Sequence, residues 1–361
     1  MRLGIVFFPT VGPQDRPAQQ YFSEALQLVD LAEELGFHHV KMVEHYFFPY
    51  GGYSPDPVTF LAAAAGRTRR VRLGTSATIP AFVHPVKLAG KLAMLDNISN
   101  GRVDAAFGRA FLPDEFKAFG IPMDESRARF TESVRAVQLL WTTEDAVFEG
   151  TFHKFGPVTL LPRPVQQPHP PIFVTSARSL DSVREAAEVG HHLQTVPNAM
   201  TVEELSERVE LFRSSWRASG HPGTGQIHLT YPCVVAADPA EARRKAKYDE
   251  ERNTAAISAA VSAWRTTSST AYPGYEKLAD IGKRATFEEK LADNKLLVGS
   301  PDEVRGQLGD IAQRYGDDLT LSLGIHSGHL DVEDAATTLR LLAEQVLPKL
   351  DNDPFAAEER R

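Results

Sequence analysis

Short apolar runs alternate along the chain with longer stretches in which apolar residues recur every three or four positions. The first pair sets the pattern: "LGIVFF" at 3–8 predicts a buried strand, and "YFSEALQLVDLAEELGF" predicts an amphipathic helix that ends at Gly36. Seven more strand patterns follow, each with a helical pattern after it: "HHVKMVEH", "VRLGTSATI", "GRVDAAFG", "PPIFVTS", "HHLQTV", "IHLTYPCVVAA" and "DDLTLSLGI". Eight strands, each followed by a helix, predict an α/β fold of the closed (β/α)8 type, the TIM barrel.

A doubly wound open sheet is the alternative to the barrel. Such sheets usually have fewer strands and a G-x-G-x-x-G turn after the first one, whereas this first strand runs into "FFPTVGPQD". Two segments interrupt the repeat. Residues 147–164 alternate as a hairpin does and predict an insertion before strand five, and the polar segment 266–295 predicts a mobile lid over the active site. One barrel domain is therefore expected over 1–350, followed by a polar tail at 351–361.

Polar and aromatic residues gather where the predicted strands end. In a parallel barrel these ends meet on one face, which is where TIM-barrel active sites form. Strand two ends in Glu44 and His45, strand three in 76–78, and strand four in Gly108 and Arg109. An isolated Glu–His pair can simply close a strand by bonding to the backbone, but its coincidence with the other strand ends favours function. The residues at these strand ends, taken together, are typical of a site for a large, partly apolar ligand with a phosphate group.

Charge and cysteine content remove several classes of function. A net charge of −8 argues against a nucleic-acid-binding protein or a polybasic membrane patch. The single cysteine, Cys233, excludes an intramolecular disulfide and a cysteine-rich metal site. No H-E-x-x-H motif or carboxylate cluster appears, so no metal is expected. The start "MRLGIVFFPTVG" fits a first strand better than a signal peptide, and no apolar run has the length of a membrane span, which favours the cytoplasm.

Three long segments resemble the bacterial luciferase-like monooxygenase family: "VEHYFFPYGGYSPDP", "LGTSATIPAFVHPVKLAGKLAMLDNISNGRVDAAFGRAF" and "DEFKAFGIPMDESRARF". The likeness runs in order from Leu3 to the region of Leu350. It implies a (β/α)8 barrel that oxygenates a small organic substrate with reduced FMN and dioxygen, through a 4a-hydroperoxyflavin. The reduced flavin would be delivered by a separate flavin reductase.

The resemblance also assigns residues to the flavin ring. His45 matches the family's active-site histidine. Ser76 and Ala77 match the stretch that lies along the isoalloxazine ring and often contains a non-proline cis bond. Gly108 stands where the light-emitting subunits have a reactive cysteine, which argues against light emission.

A second set of matches concerns the FMN phosphate. Arg109 matches the arginine that meets the phosphate. The phosphate-binding turn matches Ala177, Arg178 and Ser179. The amide groups and the dipole of a helix start favour an anion at such a turn, and an arginine can add a bidentate hydrogen bond. Arg178 fits this role and a solvated surface position about equally well.

The chemistry divides the remaining roles. Glu44 is expected to orient neighbouring groups by hydrogen bonds, while His45 faces the flavin and transfers a proton, because imidazole titrates in the right range. Aromatic side chains and the lid would exclude water from the flavin. The predicted substrate pocket consists of Phe8, Tyr46, Phe47, Phe111, Tyr231 and His326.

Several alternatives stay open at this point. The sequence does not reveal the substrate, which is expected to be a small organic molecule such as an aldehyde, a ketone or a natural-product intermediate. Hydroxylation, Baeyer–Villiger insertion and aldehyde oxidation are all open as outcomes. The alternative functions are deazaflavin-dependent hydride transfer on the same barrel and a non-catalytic flavin-binding subunit. The predicted helices at 57–68 and 85–99 carry small apolar residues, and family members commonly dimerise through this region, so a homodimer is expected.

Overall fold

A closed parallel sheet forms the centre of the molecule. The computed structural model describes residues 1–283 and 285–350. Its strands are β1 (Arg2–Phe7), β2 (His39–Met42), β3 (Arg72–Thr75), β4 (Val103–Gly108), β5 (Ala146–Glu149), β6 (Lys154–Val158), β7 (Ile172–Thr175), β8 (His192–Thr195), β9 (Ile227–Val235), β10 (Leu297–Gly299) and β11 (Thr320–His326). Eight of them close a ring in the order β1, β2, β3, β4, β7, β8, β9, β11 and back to β1. The (β/α)8 barrel predicted from the sequence is thereby confirmed.

Helices surround the ring. They are α1 (Ala18–Glu34), α2 (Pro57–Arg67), α3 (Pro85–Ile98), α4 (Pro113–Phe119), α5 (Ser126–Thr142), α6 (Leu180–Glu188), α7 (Val202–Ala218), α8 (Pro239–Ala260), α9 (Phe287–Ala292), α10 (Pro301–Tyr315) and α11 (Val332–Leu341). Their starts follow local chemistry: Thr201 and Ser300 form capping boxes with Glu204 and Glu303, which satisfy amide groups that the first helical turn leaves without partners. None of the described helices is long and apolar enough to cross a membrane.

The main hydrophobic core lies between the sheet and the helices, and the inside of the barrel contains several polar side chains. Successive strand residues face opposite sides, so Ile5, Val40 and Leu73 are fully buried in that core. Their neighbours Gly4 and Gly74 leave room inside the barrel, since a Cβ there would lie 2.3 Å from His39 Nδ1 and 2.8 Å from Lys41 Cγ. Polar side chains therefore occupy a space that TIM barrels usually fill with branched apolar residues.

The two predicted interruptions occur where expected. β5 and β6 pair antiparallel and form the hairpin between α5 and β7. The segment after α8 holds a 3-10 helix at Tyr275–Lys283, then α9, and then the short strand β10, which pairs with the C-terminal end of β9. Mobility of the segment 266–295 stays a prediction. The tail 351–361 lies outside the described residues.

Candidate active site

His45 lies just beyond β2, and a buried carboxylate holds its ring. Its Nδ1 is 3.1 Å from Oε1 of Glu115 on α4, whose side chain is fully buried. The same oxygen accepts the Tyr46 N–H at 3.0 Å. Gly51, with φ +76, makes room for the ring, because a Cβ there would lie 2.8 Å from the His45 side chain. Since a carboxylate only accepts hydrogen bonds, Nδ1 carries the proton toward Glu115 and Nε2 is left for proton transfer.

Aromatic rings enclose His45. The ring centroids of Phe8, Tyr50 and Phe111 lie 5.7, 5.1 and 5.8 Å from that of the imidazole. Tyr275, from the predicted lid segment, adds a ring 6.5 Å from Phe111. The structure thus places the predicted wall residues Phe8 and Phe111 beside the histidine. Rings on these sides reduce the access of water to it.

Glu44 faces away from His45 and organises the end of β3. Its Oε2 accepts the N–H of Ile79 at 3.1 Å, and its Oε1 accepts the Tyr46 hydroxyl at 2.8 Å. Burial is the main cause that raises the pKa of Glu44 to about 7. The contacts agree with the expectation that Glu44 orients its neighbours. The acid that contacts His45 is a different one, Glu115.

The end of β3 forms a half-buried surface at the barrel opening. The Ser76–Ala77 peptide bond is cis, as the family resemblance implied. Beyond it, Thr78 N–H donates to Ala106 O and Gly108 N–H donates to Thr78 O, each at 2.9 Å. A Cβ on Gly108 would lie 3.4 Å from that of Ala77. A larger side chain at Gly108 would therefore fill the space beside the cis peptide.

Arg109 is half-buried and has an unused donor. Its Nη2 donates to Ala271 O at 2.8 Å and its guanidinium lies 4.6 Å from the Tyr272 ring centroid. Its Nε is buried without a hydrogen-bond partner. A buried donor without a partner costs free energy, and an anionic ligand atom would satisfy it. This observation fits the phosphate role assigned to Arg109.

The turn before α6 carries more cationic groups. Ser179 caps the helix by accepting the Ser182 N–H at 3.2 Å, and Arg127 Nη2 donates to Ser179 Oγ at 2.9 Å. The Arg178 guanidinium lies 5.4 Å from the Tyr275 ring centroid. Ala177, between β7 and this cap, is half-buried.

Two tyrosines bring the arginine sites together. Tyr272 contacts Arg109, Tyr275 contacts Arg178, and the two tyrosine rings are 5.0 Å apart. The guanidinium groups therefore converge on one end of the opening, near the start of a helix, which is a favourable place for a phosphate. The residues present fit FMN.

Two predicted pocket residues lie outside the enclosure around His45. Phe47 is 63% exposed, because the chain turns there with φ 71 and directs the side chain to the surface. The ring of Tyr46 packs on Phe119 and Phe82, at centroid distances of 4.9 and 6.2 Å, while its hydroxyl contacts Glu44.

The prediction that Tyr231 lines the pocket is wrong. His228, on the same strand, points into the barrel, so by the two-residue period of a strand Tyr231 points out toward the helices. It is 1% exposed and lines a small cleft with Leu205 and Tyr315.

The prediction for His326 is wrong as well. The pairing of β1 and β11 shifts register between Val6 and Phe7, at the level of His326, which breaks the alternation there. The imidazole stacks on Tyr21 of α1 with centroids 5.0 Å apart, and its Nε2 is 3.3 Å from Glu24 Oε2. Burial lowers the pKa of His326, and the side chain belongs to the core under α1.

The sequence analysis missed three residues of the site: Glu115, Tyr50 and Arg127. They lie on helices or in a loop, so no strand-end rule selects them. The described residues contain no group of three or more His, Cys, Asp or Glu side chains placed to hold a metal ion.

Comparison with known proteins identifies the family. The sequence model of the family of luciferase-like monooxygenases matches residues 1–318 of this chain. The crystal structure of the monooxygenase RslO1 from Streptomyces bottropensis is 52% identical, with a TM-score of 0.87 over 97% of this chain and 99% of that one. The chain therefore belongs to the luciferase-like monooxygenase family, as the sequence resemblance implied.

Two further relatives carry names that include a cofactor. The oxygenase component of the flavin-dependent trigonelline monooxygenase of Acinetobacter baylyi is 35% identical over 199 residues, which are 55% of this chain and 54% of that protein. The FMNH2-dependent dimethylsulfone monooxygenase of Pseudomonas putida is 27% identical over 316 residues, 83% of this chain and 82% of the relative. The chain spans about half the length of the first curated relatives that it matches, among them the trigonelline monooxygenase.

Proposed function

We propose that this protein is the oxygenase component of a two-component monooxygenase, which takes reduced FMN from a separate flavin reductase and uses dioxygen to oxygenate a small organic substrate. The observation that carries the proposal is His45, held by the buried Glu115 inside an aromatic enclosure at the barrel opening. Relatives named as an oxygenase component and as FMNH2-dependent support it. A cytoplasmic location belongs to the same proposal.

Two groups of residues at the barrel opening suit different parts of FMN. Arg109, Arg127 and the turn 177–179 would hold the phosphate, because they combine guanidinium donors with the start of α6. Ser76 and Ala77 would lie against the ring. Reduced FMN, when bound, supplies the electrons that activate dioxygen for transfer of one oxygen atom.

The chain's own residues then handle protons and water. Glu115 fixes the imidazole so that Nε2 of His45 faces the enclosure and exchanges a proton with the reacting groups. Phe8, Tyr50 and Phe111 limit the access of bulk water. The same rings make the enclosure apolar, which suits an aldehyde, a ketone or a natural-product intermediate with an aromatic or aliphatic body.

The predicted lid is part of the proposal. Asp124 Oδ1 accepts hydrogen bonds from Ser269 Oγ at 2.6 Å and Thr270 N at 2.8 Å, and so anchors the segment that carries Tyr272 and Tyr275 over the arginines. We expect this segment to open for entry of flavin and to close before the reaction.

Oxygen uptake and product formation test the function. With a flavin reductase and a panel of aldehydes and ketones, the wild-type protein should consume oxygen and release an oxygenated product. His45→Ala should lower product formation by ~10²-fold or more and divert oxygen to hydrogen peroxide, while FMN affinity stays unchanged. Glu115→Gln keeps the shape of the side chain and should give a smaller loss. Unimpaired product formation by His45→Ala would exclude the proposed role, and turnover with a deazaflavin donor without oxygen uptake would favour hydride transfer.

A homodimer is also proposed. Met94 and Ile98, one turn apart on α3, are 56% and 48% exposed, and Leu161 and Val165 nearby are 83% and 48% exposed. The two groups adjoin, since Asn97 Nδ2 donates to Arg163 O at 2.7 Å. An apolar surface of this kind is typical of an interface between subunits.

A further inference from the structure

A buried lysine lies inside the barrel below the candidate flavin site. Lys41 of β2 is 1% exposed, and its Nζ is 2.9 Å from Gln194 Oε1 and 2.6 Å from His228 Nδ1. Among the ion pairs of the described residues, none involves Lys41. Burial lowers the pKa of Lys41 to about 7, partly opposed by Asp104. Burial of an amine costs free energy, which suggests that Lys41 has a role in positioning its partners.

Lys41 determines which way the amide of Gln194 faces. In its charged form Lys41 can only donate hydrogen bonds, so the amide oxygen of Gln194 then faces the ammonium group, at 2.9 Å. The NH2 group then faces the opposite way and donates to Ser76 Oγ at 3.0 Å and to Thr175 Oγ1 at 3.2 Å. While Lys41 carries its proton, below its pKa of about 7, this direction follows from the chemistry of the ammonium group.

The two hydroxyl groups are placed to donate elsewhere. Ser76 and Thr175 each accept a hydrogen bond from Gln194, so their own protons cannot point toward that amide. Both residues are half-buried at the ends of β3 and β7, on the face where the strands open. The hydroxyl protons are therefore available to a ligand in the opening.

We propose that Gln194, oriented by Lys41, is a positioning residue that presents the Ser76 and Thr175 hydroxyls as hydrogen-bond donors to the bound flavin. The inference rests on the proposed function, because that function places the flavin ring against 76–77. It adds a part of the site that lies inside the barrel, below the strand ends. The hydroxyls contact the flavin, and Gln194 acts on it through them.

The sharpest test reverses the hydrogen bonds without changing the shape. In Gln194→Glu, a carboxylate replaces the amide and can only accept, so both hydroxyls would turn toward it and away from the flavin. Lys41 would gain a charged partner, which helps to retain the fold. We expect the Kd for FMN, measured by quenching of flavin fluorescence, to rise about 3- to 10-fold, the range for one or two net hydrogen bonds. The melting temperature of the flavin-free protein should not fall.

A double-mutant cycle separates positioning from a general structural effect. Ser76→Ala combined with Thr175→Ala should raise the Kd to a similar extent. Adding Gln194→Glu to that variant should change the Kd less than about 2-fold, because no hydroxyl remains to be turned. If Gln194→Glu weakens FMN binding equally with and without the hydroxyls, its effect is one of charge or packing and the inference is wrong.

The hydroxyl variant is also a test by itself. If Gln194→Glu does not fold, an unchanged Kd in the Ser76→Ala, Thr175→Ala protein would still overturn the inference. Failure of the proposed function has a different signature, since the wild-type protein would then either not bind FMN or bind it without forming an oxygenated product. Wild-type binding with an unaffected hydroxyl variant refutes the inference alone.

Discussion

The buried carboxyl group of Glu44 should make the stability of the protein depend on pH in an unusual direction. Burial raises its pKa from 4.5 to about 7. Between these values the folded protein holds a proton that the unfolded chain has released, so the free energy of unfolding falls as pH rises. A difference of roughly 2.5 pKa units corresponds to about 3 kcal/mol, and about 2.5 kcal/mol of it falls between pH 5 and 8.

Glu44→Gln isolates this contribution. Glutamine can still accept the Ile79 N–H but has no titrating proton, so it lacks the destabilisation that the wild-type carboxyl group acquires as pH rises. We expect the stability of the variant relative to the wild-type protein to rise by about 2–3 kcal/mol from pH 5 to pH 8. Urea unfolding of the flavin-free proteins, followed by circular dichroism at four pH values, measures the difference directly.

Glu303→Gln is the matched control. The Ser300 backbone N–H, helped by Arg243, lowers the pKa of Glu303, so its titration lies below this window. Its effect on stability should be constant from pH 5 to pH 8. A constant difference between Glu44→Gln and the wild-type protein over the same range would show that Glu44 ionises as readily folded as unfolded, and the reasoning from burial would fail.

Three further predictions concern the ligand, the lid and the assembly. Arg109→Ala should weaken FMN binding by about 1.5–3 kcal/mol, the range for a charge-assisted hydrogen bond. Arg184→Ala, on the exposed face of α6, should leave FMN binding unchanged. Equal FMN affinities of Arg109→Ala and the wild-type protein would contradict the phosphate role. Asp124→Ala should speed amide hydrogen exchange in 266–283 without lowering the melting temperature, and unchanged exchange would show that Asp124 is not the anchor. Sedimentation should give the wild-type protein a mass of twice its 39.8 kDa chain. The double variant Met94→Lys, Ile98→Lys should sediment with the mass of a single chain. A wild-type protein with the mass of one chain would exclude the dimer.

The sequence was informative wherever a local rule determined position. The spacing of apolar residues in strands and helices predicted the eight-stranded barrel, because this spacing is set by residues only a few positions apart in the chain. The rule that parallel strands end on one face brought Glu44, His45 and Arg109 into one region. The same rule says nothing about which way a side chain turns after its strand has ended. For this reason the rule predicts Phe47 in the pocket, although a left-handed turn directs its side chain to the surface.

The missed parts of the site depend on contacts between distant segments. Glu115 approaches His45 from 70 residues away, and Arg127 reaches Ser179 across 52. Tyr231 and His326 show a subtler limit. Each is on a strand predicted correctly, but the direction of its side chain depends on which positions face the barrel and on a register shift in the sheet. Neither is visible in the apolar pattern, because both faces of a barrel strand are buried.

Lys41 and Glu44 lie three residues apart and respond to pH in opposite ways. Burial lowers the pKa of Lys41 to about 7 from 10.5, so the unfolded chain binds more protons between these values and the lysine's contribution to stability rises with pH. The contribution of Glu44 falls with pH between 4.5 and about 7. The two contributions together are therefore least favourable near pH 7, where Lys41 is losing its charge and Glu44 is gaining one. A chain selected for stability alone would place apolar residues at both positions. Lys41 is linked to Ser76 through Gln194, and Glu44 accepts the N–H of Ile79. Both costly groups therefore position the end of β3, which indicates that they are kept for the site and not for stability.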